Sequence, residues 1–126
     1  MTRILTLGAA QMGPIARAES RQTVVARLLE LLREAASMKC DIVVFPELTL
    51  TSFFPRWFME NQAEIDAYFE REMPNPATQP LFDEARRLGI GFYLGYAELV
   101  EENGRTRHFN TSILIDKAAN HRFFFW

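Results

Sequence analysis

Glu47 is the residue whose type and place point most directly to chemistry. It closes the run Asp41-Ile42-Val43-Val44-Phe45-Pro46-Glu47. Four apolar residues without alternation read as a short strand buried on both faces. Pro46 has no N–H to offer a sheet ladder, so the strand ends there. Glu47 then stands at the carboxyl end of a buried strand, where open α/β sheets hold their ligands. The loop that follows, residues 48–59, is long and aromatic and has the character of a site wall. A glutamate ending a strand is ordinarily a solvated acid. Beside such a loop it is expected to be partly desolvated, which suits a general base near neutral pH.

The other reactive side chains fit less well. Cys40 is the only thiol, and it precedes the strand that Glu47 follows. The strand between them spans about 20 Å at ~3.3 Å per residue, so the two cannot form a thiol–base pair. Cys40 reads instead as a small residue at a helix–strand junction. His108 and His121 are isolated, and no His/Cys/Asp spacing fits a metal site. Gly89, Gly91 and Gly95 fall in a strand region rather than at a strand–helix turn, so no phosphate loop is present. Gly91 and Gly95 read as close-packing positions in a sheet. The rings of Phe53, Phe54, Trp57 and Phe58 have enough area to favour core over pocket.

Elements must position these residues. Residues 4–10 read as a first strand, central in a sheet, broken by Gln11-Met12-Gly13-Pro14. Ser20 is a helix N-cap candidate. Val24, Val25, Leu28, Leu31, Leu32, Ala35 and Ala36 then recur at helical spacing, giving an amphipathic helix of about five turns. Strand, helix and strand make a βαβ unit with parallel pairing. Further helices are expected over 60–72, with Ile65, Tyr68 and Phe69 inward, and over 78–88, closed by Gly89. Strands over 91–100 and 107–115 flank Glu101-Glu102-Asn103-Gly104, a strong hairpin signal.

Composition narrows the function classes. The chain has 126 residues, a net charge of −2 and a pI near 5.7. No basic excess points to nucleic acid or an anionic membrane as a partner. A single cysteine rules out an internal disulfide and fits a reducing, cytoplasmic setting. No apolar run approaches the ~20 residues of a membrane span, and the first residues do not pattern as a signal peptide.

Several separated motifs, in order and spacing, resemble one family. They are Gly13-Pro14-Ile15-Ala16-Arg17-Ala18-Glu19, Phe45-Pro46-Glu47-Leu48, Phe53-Phe54-Pro55-Arg56-Trp57, Gly89-Ile90-Gly91-Phe92, Gly95-Tyr96-Ala97-Glu98-Leu99 and Phe109-Asn110-Thr111-Ser112-Ile113-Leu114. The sequence resembles the N-terminal part of a carbon–nitrogen hydrolase of the nitrilase superfamily, and within it the N-carbamoyl-D-amino-acid amidohydrolases. The resemblance implies an α/β fold, part of an α-β-β-α sandwich in subunits that associate helix-to-helix as homo-oligomers. It implies a Glu–Lys–Cys set with no metal or organic cofactor, acting on a small-molecule N-carbamoyl amino acid. Only Glu47 carries over from that set. The loop 51–57 would border the substrate pocket, with Phe53 as the substrate-contacting choice.

The likeness covers residues 1–117. The family's lysine lies in a Tyr-Arg-Lys motif followed by His-Leu-Pro, and its cysteine lies further on. Here Lys117 belongs to the strand exit, and residues 118–126 form a divergent aromatic tail, as a shifted reading frame or early stop would produce. The expectation is an incomplete sandwich, inactive alone, whose inner faces bearing Phe92, Leu94, Phe109 and Ile113 lack a partner layer. Two rivals stand beside it: a non-catalytic interaction module that associates with a full-length relative, and a plain α/β domain.

Overall fold

The computed structural model describes residues 2–125, with side chains through residue 121. In chain order the elements are β1 (Leu7–Ala9), α1 (Arg21–Ser37), β2 (Ile42–Val44), a 3₁₀ turn (Phe54–Arg56), α2 (Gln62–Asp66), α3 (Gln79–Leu88), β3 (Gly91–Glu102), β4 (Arg105–Ile115) and β5 (His121–Phe125). The five strands form one sheet in sequential order. The first two pairings are parallel and the last two antiparallel.

Local chemistry explains the helices. The Ser20 hydroxyl accepts from the Thr23 backbone N–H and opens α1. Val24, Val25, Leu28, Leu32 and Ala35 then face inward. Leu28 and Leu32 are fully buried, so truncating either to alanine would cost about 2–5 kcal/mol. Gly89 ends α3 with φ 67°, a left-handed cap that a side chain would strain. The long hairpin turns on Asn103 and Gly104, both at positive φ, as a two-residue turn between twisted strands requires.

Helices α1 and α3 cover one face of the sheet. Val43, Phe45, Phe92, Leu94, Ile113 and Ile115 from that face join them in a single core. Within the hairpin, cross-strand partners share a face, so Tyr93, Gly95 and Ala97 lie on the opposite side with Leu114, Ser112 and Asn110. That opposite face is poorly covered: Leu7 is 62% exposed and Val44 39%.

Four expectations change. β2 is buried on one face only, because a single helix layer packs on this sheet. β1 is an edge strand rather than a central one. Phe92, Leu94 and Ile113 are fully buried beneath the helices, so the bare face is the other one. The helix over 60–72 shrinks to α2, because Glu70 is drawn into the sheet. Its N–H donates to Ala97 O at 2.7 Å and its carbonyl accepts from Leu99 N at 2.9 Å.

The segment after residue 117 adds a strand that the sequence reading treated as an unrelated tail. Asp116 Oδ1 accepts from the N–H groups of Ala118 and Asn120, and Ala119 takes φ 62°, which turns the chain. The backbone of β5 then pairs with β4, from Ile115↔His121 to Ser112↔Phe125.

Candidate active site

The loop after β2 is laid across β3 and held there by backbone hydrogen bonds. Phe45 N donates to Tyr93 O and Thr49 N to Gly95 O, each at 2.9 Å. Between these anchors Pro46, Glu47 and Leu48 cross directly over Gly95. A Cβ on Gly95 would stand 3.1 Å from Glu47 Cα and 3.3 Å from Pro46 O. The absent side chain is what lets the loop sit so low. Leu48 takes φ 46°, unusual for a side chain of its size, and turns the chain immediately after Glu47. Its own side chain is buried in a small second core with Phe54 and Ala97.

Glu47 is exposed rather than partly desolvated, because no helix layer covers the part of the sheet face it stands on. The Asn110 side-chain amide donates to its Oε1. Two clefts share Glu47. One, of about 240 Å³, runs over the bare sheet face past Tyr93, Asn110 and Ser112. The other, of about 260 Å³, lies between the turn after β1 and the loop after β2; Gln11, Pro14, Thr51, Ser52 and Phe53 line it. The structure therefore brings Glu47 and Phe53, the two residues singled out by sequence, to one cleft.

The aromatic loop divides between core and surface. Phe54 stacks on Tyr68 with ring centres 4.7 Å apart and meets Phe69 edge-on. Phe53 and Phe58 are exposed. Trp57 lies beneath the guanidinium groups of Arg17 and Arg56, at 5.3 and 5.6 Å. Arg17 also donates to Tyr68 Oη at 3.1 Å, tying the turn after β1 to the far side of the aromatic loop. Arg27 secures the same turn from α1: it donates to Met12 O and pairs with Glu19 at 3.0 Å.

Sequence reading missed three features. Buried Glu70 receives hydrogen bonds from Arg21 Nε and Asn75 Nδ2, which clamps α1 and the 67–75 segment to β3. Nothing in the spacing of these residues announces it. His108 is not isolated: its Nε2 lies 2.7 Å from Asp66 Oδ1. The Gln62 amide, and then His108, hold the Asp66 carboxyl below the usual carboxylate range. The hydroxyls of Thr49, Thr51 and Ser52 are buried without a hydrogen-bond partner among the described residues.

Cys40 is partly buried and packs by Gly8 and Ala35, at the end of β2 remote from Glu47. His121 stacks on Phe82. Among the described residues no group of three His, Cys, Asp or Glu could hold a metal ion. Nor is any described helix long and apolar enough to cross a membrane.

The sequence model of the carbon–nitrogen hydrolases matches residues 6–121, which takes in β1 through the start of β5. The chain belongs to the carbon–nitrogen hydrolase family. That membership places it in the nitrilase superfamily. Solved structures agree on the fold of this family chain. A carbon–nitrogen hydrolase from Helicobacter pylori G27 superposes with a TM-score of 0.72 at 19% identity, covering 96% of this chain and 38% of that one. The NitN amidase from Neterenkonia sp. AN1 gives 0.70 at 17% identity, covering 97% and 43%. An N-terminal amidase gives 0.66 at 18% identity, covering 96% and 27%. The chain thus spans less than half the length of each of these structures, and its fold is the N-terminal part of the nitrilase-like α/β architecture.

Proposed function

We propose that this chain supplies the general base of a carbon–nitrogen hydrolase acting on N-carbamoyl-D-amino acids. The observation that carries the reading is the placement of Glu47. It sits on a loop locked over Gly95, at the junction of two clefts, inside the segment matched by the family. The finer choice of substrate rests on the motif resemblance around Glu47 and Phe53.

In that reaction a thiol attacks the carbamoyl carbon, a lysine stabilises the oxyanion, and the glutamate takes the thiol proton and later activates water. One water converts the N-carbamoyl compound to amino acid, ammonia and carbon dioxide. Glu47 is the one member of the set that these residues provide. Cys40 packs at the other end of β2, and neither Lys39 nor Lys117 lines a cleft with Glu47. The chain alone is therefore expected to release no ammonia from an N-carbamoyl-D-amino acid. Joining residues 1–117 to the lysine- and cysteine-bearing part of an N-carbamoyl-D-amino-acid amidohydrolase should restore release, and Glu47→Gln should abolish it. A folded chimera without turnover sinks the reading.

A second reading, a non-catalytic interaction module, draws on the bare sheet face where Leu7 and Val44 are exposed. Co-purification with a full-length relative, with no gain of turnover in the chimera, would favour it.

A further inference from the structure

We infer that Asn110 is a positioning residue for Glu47: its side-chain amide fixes one carboxylate oxygen, so that the other is the oxygen left to handle the proton. The inference rests on the reading of Glu47 as general base. Register brings the two residues together. Asn110 lies opposite Ala97 in the hairpin, two residues along β4 from Ser112, which lies opposite Gly95. The loop carrying Glu47 crosses at Gly95, so the even-numbered residues of β4 present side chains beside it.

Chemistry fixes the direction of the contact. An ionised carboxylate only accepts, so the Asn110 group facing Glu47 Oε1 is the NH₂ and not the carbonyl oxygen. Among the described residues no other side chain hydrogen-bonds Glu47. Both residues are exposed, so the contact contributes little to the core. Its effect falls on the orientation of a long side chain, which would otherwise sample several rotamers. A base displaced by about 1 Å can lose roughly 100-fold in rate, so orientation matters in proportion to how freely the side chain would move.

The test uses the isotope-labelled 126-residue chain and NMR. The two γ-protons of Glu47 should have distinct shifts when the side chain is held. They should merge in Asn110→Leu, which removes the donor, and in Asn110→Asp, which adds a repelling carboxylate, while backbone amide shifts elsewhere stay in place. Glu47→Gln should in turn move the Asn110 side-chain amide resonances. Retention of the wild-type γ-proton splitting in Asn110→Leu overturns the inference. In the chimera, Asn110→Leu should lower kcat roughly 10- to 100-fold with KM nearly constant, and an unchanged kcat also overturns it. A chimera inactive with Asn110 intact refutes the base reading instead, and the NMR result still decides whether Asn110 holds Glu47.

Discussion

Gly95 lies directly beneath Glu47: a Cβ there would meet Glu47 Cα at 3.1 Å, Pro46 O at 3.3 Å and Leu48 N at 3.4 Å. All three are backbone atoms, which cannot swing aside as a side chain would. Gly95→Ala should therefore lift the loop, stretch the Thr49 N–Gly95 O bond and cost about 1–3 kcal/mol. Gly91 offers an internal comparison, since a Cβ there would stand only 2.6 Å from Ile115 O. Denaturant unfolding should rank Gly91→Ala as the more damaging change. The reverse order would mean that the β2 loop is more rigidly seated than the β3–β4 ladder.

The buried hydroxyls of the Glu47 loop make a paired prediction. Thr49 is 1% exposed and its hydroxyl has no partner among the described residues. Replacing an unpartnered buried hydroxyl by a methyl of similar shape removes a desolvation cost, so Thr49→Val should leave the melting temperature unchanged or raise it. Thr111 is equally buried, but its hydroxyl donates to Glu98 at 2.6 Å. Thr111→Val should cost about 1–3 kcal/mol, because the carboxylate is left without that donor. Calorimetry on the two variants checks both signs.

Acid stability should depend in part on Asp66. The Gln62 amide and then His108 hold this carboxyl below its ordinary range. A depressed carboxyl contributes stability that is present above the unfolded value, near pH 4, and is lost as pH falls below it. Asp66→Asn should therefore lower stability at pH 7 and flatten its decline between about pH 4 and pH 2, so that the variant converges with wild type in acid. Glu19 acts in the same direction, through the Ala16 N–H and then Arg27. If the acid limbs of wild type and Asp66→Asn coincide, the Asp66–His108 contact contributes nothing in solution.

The bare sheet face should make the isolated chain self-associate. Leu7 and Val44 present apolar side chains there, and among the described residues β1 has an unpaired edge. Sedimentation velocity should show concentration-dependent oligomers, and Leu7→Lys with Val44→Lys should shift the population toward monomer. A monodisperse wild-type monomer with a sharp thermal transition would contradict this.

Much of the fold is legible because local chemistry and periodicity carry it. Ser20 as a cap, the apolar stripe of α1, Gly89 after α3 and the Asn103–Gly104 turn each act through near neighbours in the chain. Glu47 is likewise legible, since a buried run ending in Pro-Glu places a carboxylate at a strand end whatever surrounds it. Which faces are covered is not a local property. Val44 reads as buried from its neighbours yet is exposed, because the number of layers packed on a sheet depends on what else folds onto it. Glu70 leaves a helical pattern because β3 offers backbone partners that α2 does not.

By itself, the sequence determined α1, α3, the β3–β4 hairpin, the strand end that presents Glu47 and the close-packing character of Gly95, all through short-range sterics and hydrogen bonding. Only the tertiary structure decided that Asn110 reaches Glu47 and that the carboxylate stands open to solvent. These depend on a contact between residues 63 positions apart in the chain and on the single helix layer, and neither is written in any local pattern.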